Sequence, residues 1–307
     1  MIGFAIVTRS LVKRRGRRLA LDGLSLSVPR GSVMGIVGAN GAGKTTWMMT
    51  VAGFLIPDFG EVDLLGCGAF NADLHSGRFA ILPQDSELPV EITPEAALCG
   101  LGCLQGLSPQ KAHRSAMEAL EAVNLADCAK APIRTLSHGM RKRVMVAQCF
   151  IGDPEVVLLD EPLNGLDPLE ADRLRRFILS RRGRQTIVVS SHNLKDIERL
   201  CTHVAFIEGG RLSRMDTLAS ITHATDRIAF MLSGEPKDLA ALSAAAPGVM
   251  FEWKGQSNEL VCTFGEDAGS VASVNRRLLP VLLAQTDILS VASGLSLEEA
   301  FLAGSRA

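Results

Sequence analysis

Gly38-Ala39-Asn40-Gly41-Ala42-Gly43-Lys44-Thr45-Thr46 decides how this chain is read. The apolar run Val33-Met34-Gly35-Ile36-Val37 precedes it and has the character of a buried strand. Trp47-Met48-Met49-Thr50-Val51-Ala52 follows it with few breakers and continues as a helix. A strand, the spacing GxxxxGK[ST] and a helix together predict a phosphate-binding loop. Glycines at 38, 41 and 43 let backbone N–H groups turn inward around phosphate oxygens, and the helix N-terminus adds its dipole. Lys44 is expected to reach the β- and γ-phosphates, and the Thr45 hydroxyl to hold Mg²⁺. The stretch predicts a nucleoside triphosphate site.

The 307 residues around this loop are enough for a full core and a second, smaller domain. Charged residues make up 21% and the net charge is −1, which leaves no basic excess for neutralising nucleic-acid phosphates. Lys13-Arg14-Arg15-Gly16-Arg17-Arg18 and Arg181-Arg182-Gly183-Arg184 are short basic clusters and read as solvated loop faces. Met1-Ile2-Gly3-Phe4-Ala5-Ile6 lacks the charged start and apolar core of a signal peptide. No run approaches the roughly 18 apolar residues that span a bilayer. Seven scattered cysteines argue against a disulfide framework and for a reducing compartment; Cys99 and Cys103 lack zinc-site spacing. The chain contains no tyrosine.

Residues 3–8 and 23–29 read as strands of an antiparallel layer, and 61–65 as another strand. Phe79–Leu82 is a strand ending at Pro83-Gln84. From about 93 to 150 the texture is helical, with Ala112, Ala116, Ala119, Leu120 and Val123 sharing one face. Val156–Leu159 and Thr186–Val189 are continuous apolar runs, as parallel strands covered on both faces should be, with a helix over roughly 168–181 between them. Val204–Ile207, Gly209-Gly210 and Arg211-Leu212 signal a hairpin. Beyond about residue 224 the order βαββαβ, with a last helix over 296–302, predicts a small ferredoxin-like α+β unit. The expected domains are 1–222 and 223–307.

The chemistry gathers at strand ends. Asp160 and Glu161 close an apolar strand where the crevice of an α/β sheet lies. Asp160 is the candidate Mg²⁺ partner and Glu161 the candidate general base for an attacking water. His192, after Ser190-Ser191, is placed to contact the γ-phosphate. Gln84 is placed to point at Mg²⁺ or water. Leu136-Ser137-His138-Gly139-Met140 puts a hydroxyl and free N–H groups at a helix start, a second anion site.

With that stretch the chain resembles the ATP-binding subunits of ABC transporters. Residues 136–140 match the LSGGQ signature, Gly38 to Thr45 the Walker A motif and Val156 to Glu161 Walker B. Gln84 matches the Q-loop, Asn164-Gly165-Leu166-Asp167 the D-loop and His192 the switch histidine. The resemblance covers roughly residues 3–220. It implies a P-loop α/β fold with an antiparallel β subdomain and a helical insert. It implies ATP and Mg²⁺ as cofactors, nucleotide contacts from Gly38, Asn40, Gly41, Gly43, Lys44, Thr45, Thr46, Ser137, Gly139 and Asp167, and metal contacts from Thr45, Gln84 and Asp160. Lys44, Gln84, Glu161 and His192 are the implied catalytic set. Family members dimerise head to tail, each ATP lying between one phosphate loop and the other subunit's signature. A homodimer, or a heterodimer with a related ATPase subunit, is therefore implied.

The ending Gly294-Leu295-Ser296-Leu297-Glu298-Glu299-Ala300-Phe301-Leu302 is similar to the tail of bacterial exporter ATPases, whose membrane-spanning permease is a separate polypeptide. That resemblance implies a cytoplasmic protein, peripheral on the inner face of the membrane, that drives export and binds no nucleic acid. The competing readings are a soluble ABC-type ATPase acting on nucleic acid or ribosomes, and a regulatory nucleotide-binding module. Two positions depart from the family. His138 replaces one of the two signature glycines. Lys13-Arg14-Arg15-Gly16 stands where an aromatic commonly stacks on adenine, which leaves arginine stacking or a loose hold for the base.

Overall fold

In the computed structural model the chain forms two units, Met1–Asp216 and Thr217–Ala307. The structure describes residues 3–223, 226–294 and 296–299.

The first unit opens with β1 (Phe4–Arg15) and β2 (Arg18–Pro29), an antiparallel hairpin. Both strands are longer than their apolar alternation suggests. Lys13, Arg14 and Arg15 continue β1 instead of forming a loop, because the two-residue turn at Gly16-Arg17 pairs Arg15 directly with Arg18. Lys13 Nζ is anchored by Ile56 O at 2.6 Å and Asp58 Oδ1 at 3.0 Å. β3 (Val33–Val37) follows, every residue buried, then the phosphate-binding loop and α1 (Lys44–Val51). β4 (Phe59–Leu64) returns to pair with β1, giving a three-stranded antiparallel sheet ordered β2-β1-β4. After the short α2 (Ala72–His75) and β5 (Phe79–Leu82) comes the helical insert. It contains α3 (Pro94–Leu104), α4 (Pro109–Ala122) and α5 (His138–Gln148). Ser108 and Ser137 cap α4 and α5 by accepting N–H bonds from Lys111 and Met140.

The chain then alternates through β6 (Val156–Asp160), α6 (Pro168–Ser180), β7 (Thr186–Ser191) and α7 (Leu194–Leu200). It closes with β8 (His203–Glu208) and β9 (Arg211–Thr217). These strands build a six-stranded sheet ordered β5-β6-β7-β3-β8-β9. β5, β6, β7, β3 and β8 run parallel. β6 and β7 are buried at every residue, which is why their sequences are unbroken apolar runs.

Between the two sheets Trp47 is fully buried, its Nε1 donating to Thr8 Oγ1 at 3.2 Å. The same hydroxyl donates to Leu26 O at 3.1 Å and accepts from Leu26 N at 3.0 Å. One threonine oxygen thus serves two buried donors and a carbonyl. Thr8→Val is isosteric yet strands all three, so it is expected to destabilise by about 1–3 kcal/mol. Urea unfolding checks this, with Thr8→Ser staying close to wild type.

The second unit begins at Thr217, just ahead of α8 (Leu218–His223). Thr217 Oγ1 accepts from Ser220 N at 3.0 Å and turns the chain into this helix. β10 (Asp226–Leu232), α9 (Leu239–Ala245), β11 (Val249–Lys254), β12 (Glu259–Phe264), α10 (Val271–Leu283) and β13 (Ile288–Ser293) follow. The antiparallel sheet runs β11-β12-β10-β13, and Phe230, Leu242, Leu260, Val274 and Leu278 form its core. Arg227 donates to both Glu299 oxygens at 2.8 Å. Leu295 and Ala300–Leu302 of the exporter-like tail, the latter also the end of the expected last helix, lie outside the described residues. Among the described residues no helix is long and apolar enough to cross a membrane.

Candidate functional site

Parallel strands of matched register end at one edge of the sheet. Val37 is level with Ser191, Asp160 with Ser190, and Leu82 with Leu159. The residues just beyond these ends therefore meet: the loop from Gly38, then Gln84, Asp160-Glu161 and His192. They enclose a cleft of about 390 Å³. Asn40, Gly41, Gly43, Lys44, Thr45, Thr46, Gln84, Asp160, Glu161 and His192 all line it.

Two glycines shape the loop for steric reasons. A Cβ on Gly38 would lie 2.3 Å from Ile207 O. Gly43 has φ +115°, and a Cβ there would lie 2.6 Å from Ala20 O. Lys44 is buried, and its Nζ donates to Gly38 O at 2.7 Å and Ala39 O at 3.2 Å, folded back over the loop. The ammonium thus spans the concavity made by the backbone N–H groups.

Opposite stands a bonded set of polar groups. Thr45 Oγ1 donates to Asp160 Oδ2 at 2.6 Å, and Ser190 Oγ donates to Asp160 Oδ1. Ser190 Oγ also accepts from Glu161 N at 2.9 Å. Glu161 is buried, in the left-handed region at φ 50°, with His192 Nδ1 3.1 Å from each of its carboxylate oxygens. Lys142 on α5 is buried nearby. Burial pushes its ammonium pKa down, against the charges of Asp160, Glu161 and Asp85.

Ser137, Gly139 and Asp167 do not line this cleft. Ser137 caps α5. Asp167 caps α6, its Oδ1 accepting from Glu170 N at 2.9 Å, with Pro168 starting the helix. A Cβ on Gly139 would sit 3.3 Å from Glu170 Cγ, so the signature packs on α6. Two ion pairs hold α6 to its neighbours: buried Arg143 of α5 with Glu170, and Arg175 with Asp196 of α7 at 2.9 Å.

Residues 21–164 match the ABC transporter family. The chain is 34% identical over 254 residues to a daunorubicin resistance ATP-binding protein of Streptomyces coeruleorubidus, covering 80% of this chain and 79% of that one. This chain belongs to the ABC transporter ATPases. It is also 37% identical over 208 residues to the Nod factor export ATP-binding protein I of Burkholderia lata, covering 66% of this chain and 67% of the relative. Such matches span about two thirds of the Nod factor proteins' length. Among solved structures, the ADP conformation of an ATP-binding cassette of an ABC transporter superposes with TM-score 0.61 at 26% identity. That match covers 71% of this chain and 94% of the cassette. The fold is that of an ABC ATPase cassette, and the chain is an ATP-binding ATPase.

Two residues of this ABC ATPase site, Ser190 and Arg18, escaped the sequence reading, and Arg15 entered it only within the run from which an arginine could stack on the base. Ser190, which donates to the Asp160 carboxylate and accepts from the Glu161 backbone N–H, carries no signal until the β6–β7 register is known. Arg15 and Arg18 line the cleft from the β1–β2 hairpin, and Arg18 Nη2 donates to Gly41 O at 2.8 Å. Their basic run reads in sequence both as a solvated loop face and, over Lys13–Gly16, as the place where arginine stacking could hold the base.

Among the described residues no cluster of three or more His, Cys, Asp or Glu is arranged to hold a metal. The oxygens of Thr45, Asp160 and Gln84 nevertheless suit Mg²⁺, which is commonly held by one or two carboxylates together with substrate phosphates.

Proposed function

We propose that this chain hydrolyses ATP as one half of a head-to-tail dimer and thereby drives export through a separate membrane-spanning permease, from the cytoplasmic face. The observation that carries the catalytic reading is Glu161, buried at the cleft and held by His192 Nδ1 at 3.1 Å from each oxygen. Ionised, Glu161 accepts only, so Nδ1 carries the hydrogen and the imidazole orients the base towards a water. Lys44 would exchange the Gly38 and Ala39 carbonyls for β- and γ-phosphate oxygens. Thr45, Asp160 and Gln84 would hold Mg²⁺, which neutralises charge on the phosphates. Ser190 keeps Asp160 facing Thr45. Glu161 would take the proton of the attacking water, and Gln84 and His192 would confine that water beside the γ-phosphate.

Dimerisation is supported by what the cleft lacks. Ser137 and Gly139 stand outside it, at a capped helix N-terminus suited to an anion, so a second copy would bring them to the phosphates. Asp167 would act from α6 in the same interface. Export is favoured by the relatives, one named for Nod factor export and another for daunorubicin resistance. The near-neutral charge disfavours nucleic acid as partner.

Subunit mixing tests the dimer. Lys44→Ala and Ser137→Arg chains should each be inactive alone. Mixed, they should regain about a quarter of wild-type phosphate release, because half the dimers would carry one intact site. A mixture as inactive as its components would overturn the homodimer.

A further inference from the structure

We propose that a second cleft of the first unit binds a phosphate dianion. It lies at the opposite edge of the six-stranded sheet from the nucleotide site. Asp153 and Arg184 stand just ahead of β6 and β7, whereas the nucleotide cleft lies beyond the last residues of those strands. The cleft holds about 320 Å³, at the lower end of the about 300–1,000 Å³ of small-ligand pockets. Its charged lining is Lys111, Arg114 and Glu118 of α4 with Asp153, Arg181 and Arg184, four cations against two acids. The whole chain carries −1, so this surplus of two positive charges is local. Two basic segments far apart in sequence, α4 and the run Arg181–Arg184, meet here. Gathering them costs repulsion that a bound dianion relieves.

The donors are placed and largely unspent. Arg181 is seated on an aromatic pair: its guanidinium carbon lies 5.7 Å from the ring centroid of Phe150 and 5.2 Å from that of Phe177. Both rings are buried and meet edge to face at 4.8 Å, which fixes the platform. Arg181 Nη1 is 3.8 Å from Asp153 Oδ1, and Arg184 Nη2 is 3.6 Å from Asp153 Oδ2. Both distances exceed hydrogen-bond reach, so Asp153 holds the two guanidinium groups by charge and leaves their N–H donors free. Arg114 and Glu118 pair along α4 at 3.6 Å. Ser115 Oγ accepts from Gly152 N at 3.2 Å, and its hydrogen has no acceptor among the described residues. Lys111 Nζ likewise has no partner among them. Guanidinium forks, an ammonium and a hydroxyl outnumber the two oxygens of a carboxylate and suit the three of a phosphomonoester. Bound there, the dianion ties α4 of the helical insert to the connections that enter β6 and β7.

The test uses the full chain carrying Lys44→Ala, which removes the phosphate loop's own hold on phosphate. Calorimetric titration with inorganic phosphate at constant ionic strength should show a single site with a dissociation constant of about 1 mM or below. Lys111→Ala and Arg184→Ala, both at exposed positions, should each weaken it about tenfold, the loss of one charge-assisted contact. Glu118→Gln removes an opposing charge and should tighten it a few-fold. With Lys44 intact and phosphate absent, Lys111→Ala and Arg184→Ala should leave ATP turnover unchanged. A second arm sediments the chain with phosphatidylcholine vesicles containing or lacking phosphatidic acid. Capture by phosphatidic acid that the two alanine variants abolish makes the dianion a lipid headgroup. Phosphate binding without capture makes it a soluble phosphomonoester. No binding in either arm, or binding that both variants leave unchanged, overturns the site.

Discussion

Glu161→Gln is expected to lower ATP turnover about 10²–10⁴-fold, the contribution of a positioned general base, while ATP affinity stays within a few-fold of wild type. Glutamine keeps the shape of the side chain and an oxygen for His192 Nδ1, now 3.1 Å from both carboxylate oxygens. It removes only the capacity to accept a proton from water. Lys44, Thr45 and Asp160, which would hold the triphosphate, are untouched. The variant should therefore bind ATP, close and stay closed, and size exclusion should show an ATP-dependent dimer that the wild type forms only transiently. Phosphate release measured alongside gives the rate. Turnover equal to wild type would remove Glu161 from the role of base.

Gly43→Ala should act at the earlier step. The backbone at Gly43 has φ +115°, which a side chain adopts only under strain, and its Cβ would press to 2.6 Å on Ala20 O. Relief requires the loop to move off β2, and the N–H groups of the phosphate cradle move with it. ATP affinity is expected to fall about 100-fold, the equivalent of roughly 2.7 kcal/mol. Gly106→Ala is the control. It too has positive φ, at +89°, but no atom lies within 4 Å of its Cβ position. It should lower the melting temperature and leave ATP binding unchanged. Equal losses of affinity in both variants would mean that backbone strain alone, not the shape of the loop, is responsible.

Much of this site is written in local sequence because its strands are buried on both faces. β3, β6 and β7 announce themselves as apolar runs, and the residues just past their ends are the ones that meet. The four strands and two main helices of the second unit were legible for a different reason, each being a short run between clear turn signals. What escaped depends on register and on contacts distant in sequence. Arg15 and Arg18 sit where β1 and β2 meet at their hairpin turn, in a stretch that shows no apolar alternation, so its charge suggested a loop. Ser190 is level with Asp160 only once β6 and β7 pair. Asp167 carries two signals at once. A capping position before Pro168 and a motif residue look alike in sequence, and within one chain the carboxylate is a cap.

The left-handed backbone at Glu161 means that this protein trades durability for activity at a named position. A glutamate held at φ 50° is strained by about 1–2 kcal/mol relative to glycine. It is also a buried acid beside a second one, Asp160. Glycine would relax the backbone and keep the N–H bond to Ser190 Oγ. Glu161→Gly should therefore melt a few degrees higher than wild type while hydrolysing nothing. A thermal screen for sturdier variants would select that loss of function at the centre of the catalytic cleft, where activity-blind engineering of this chain would go wrong first.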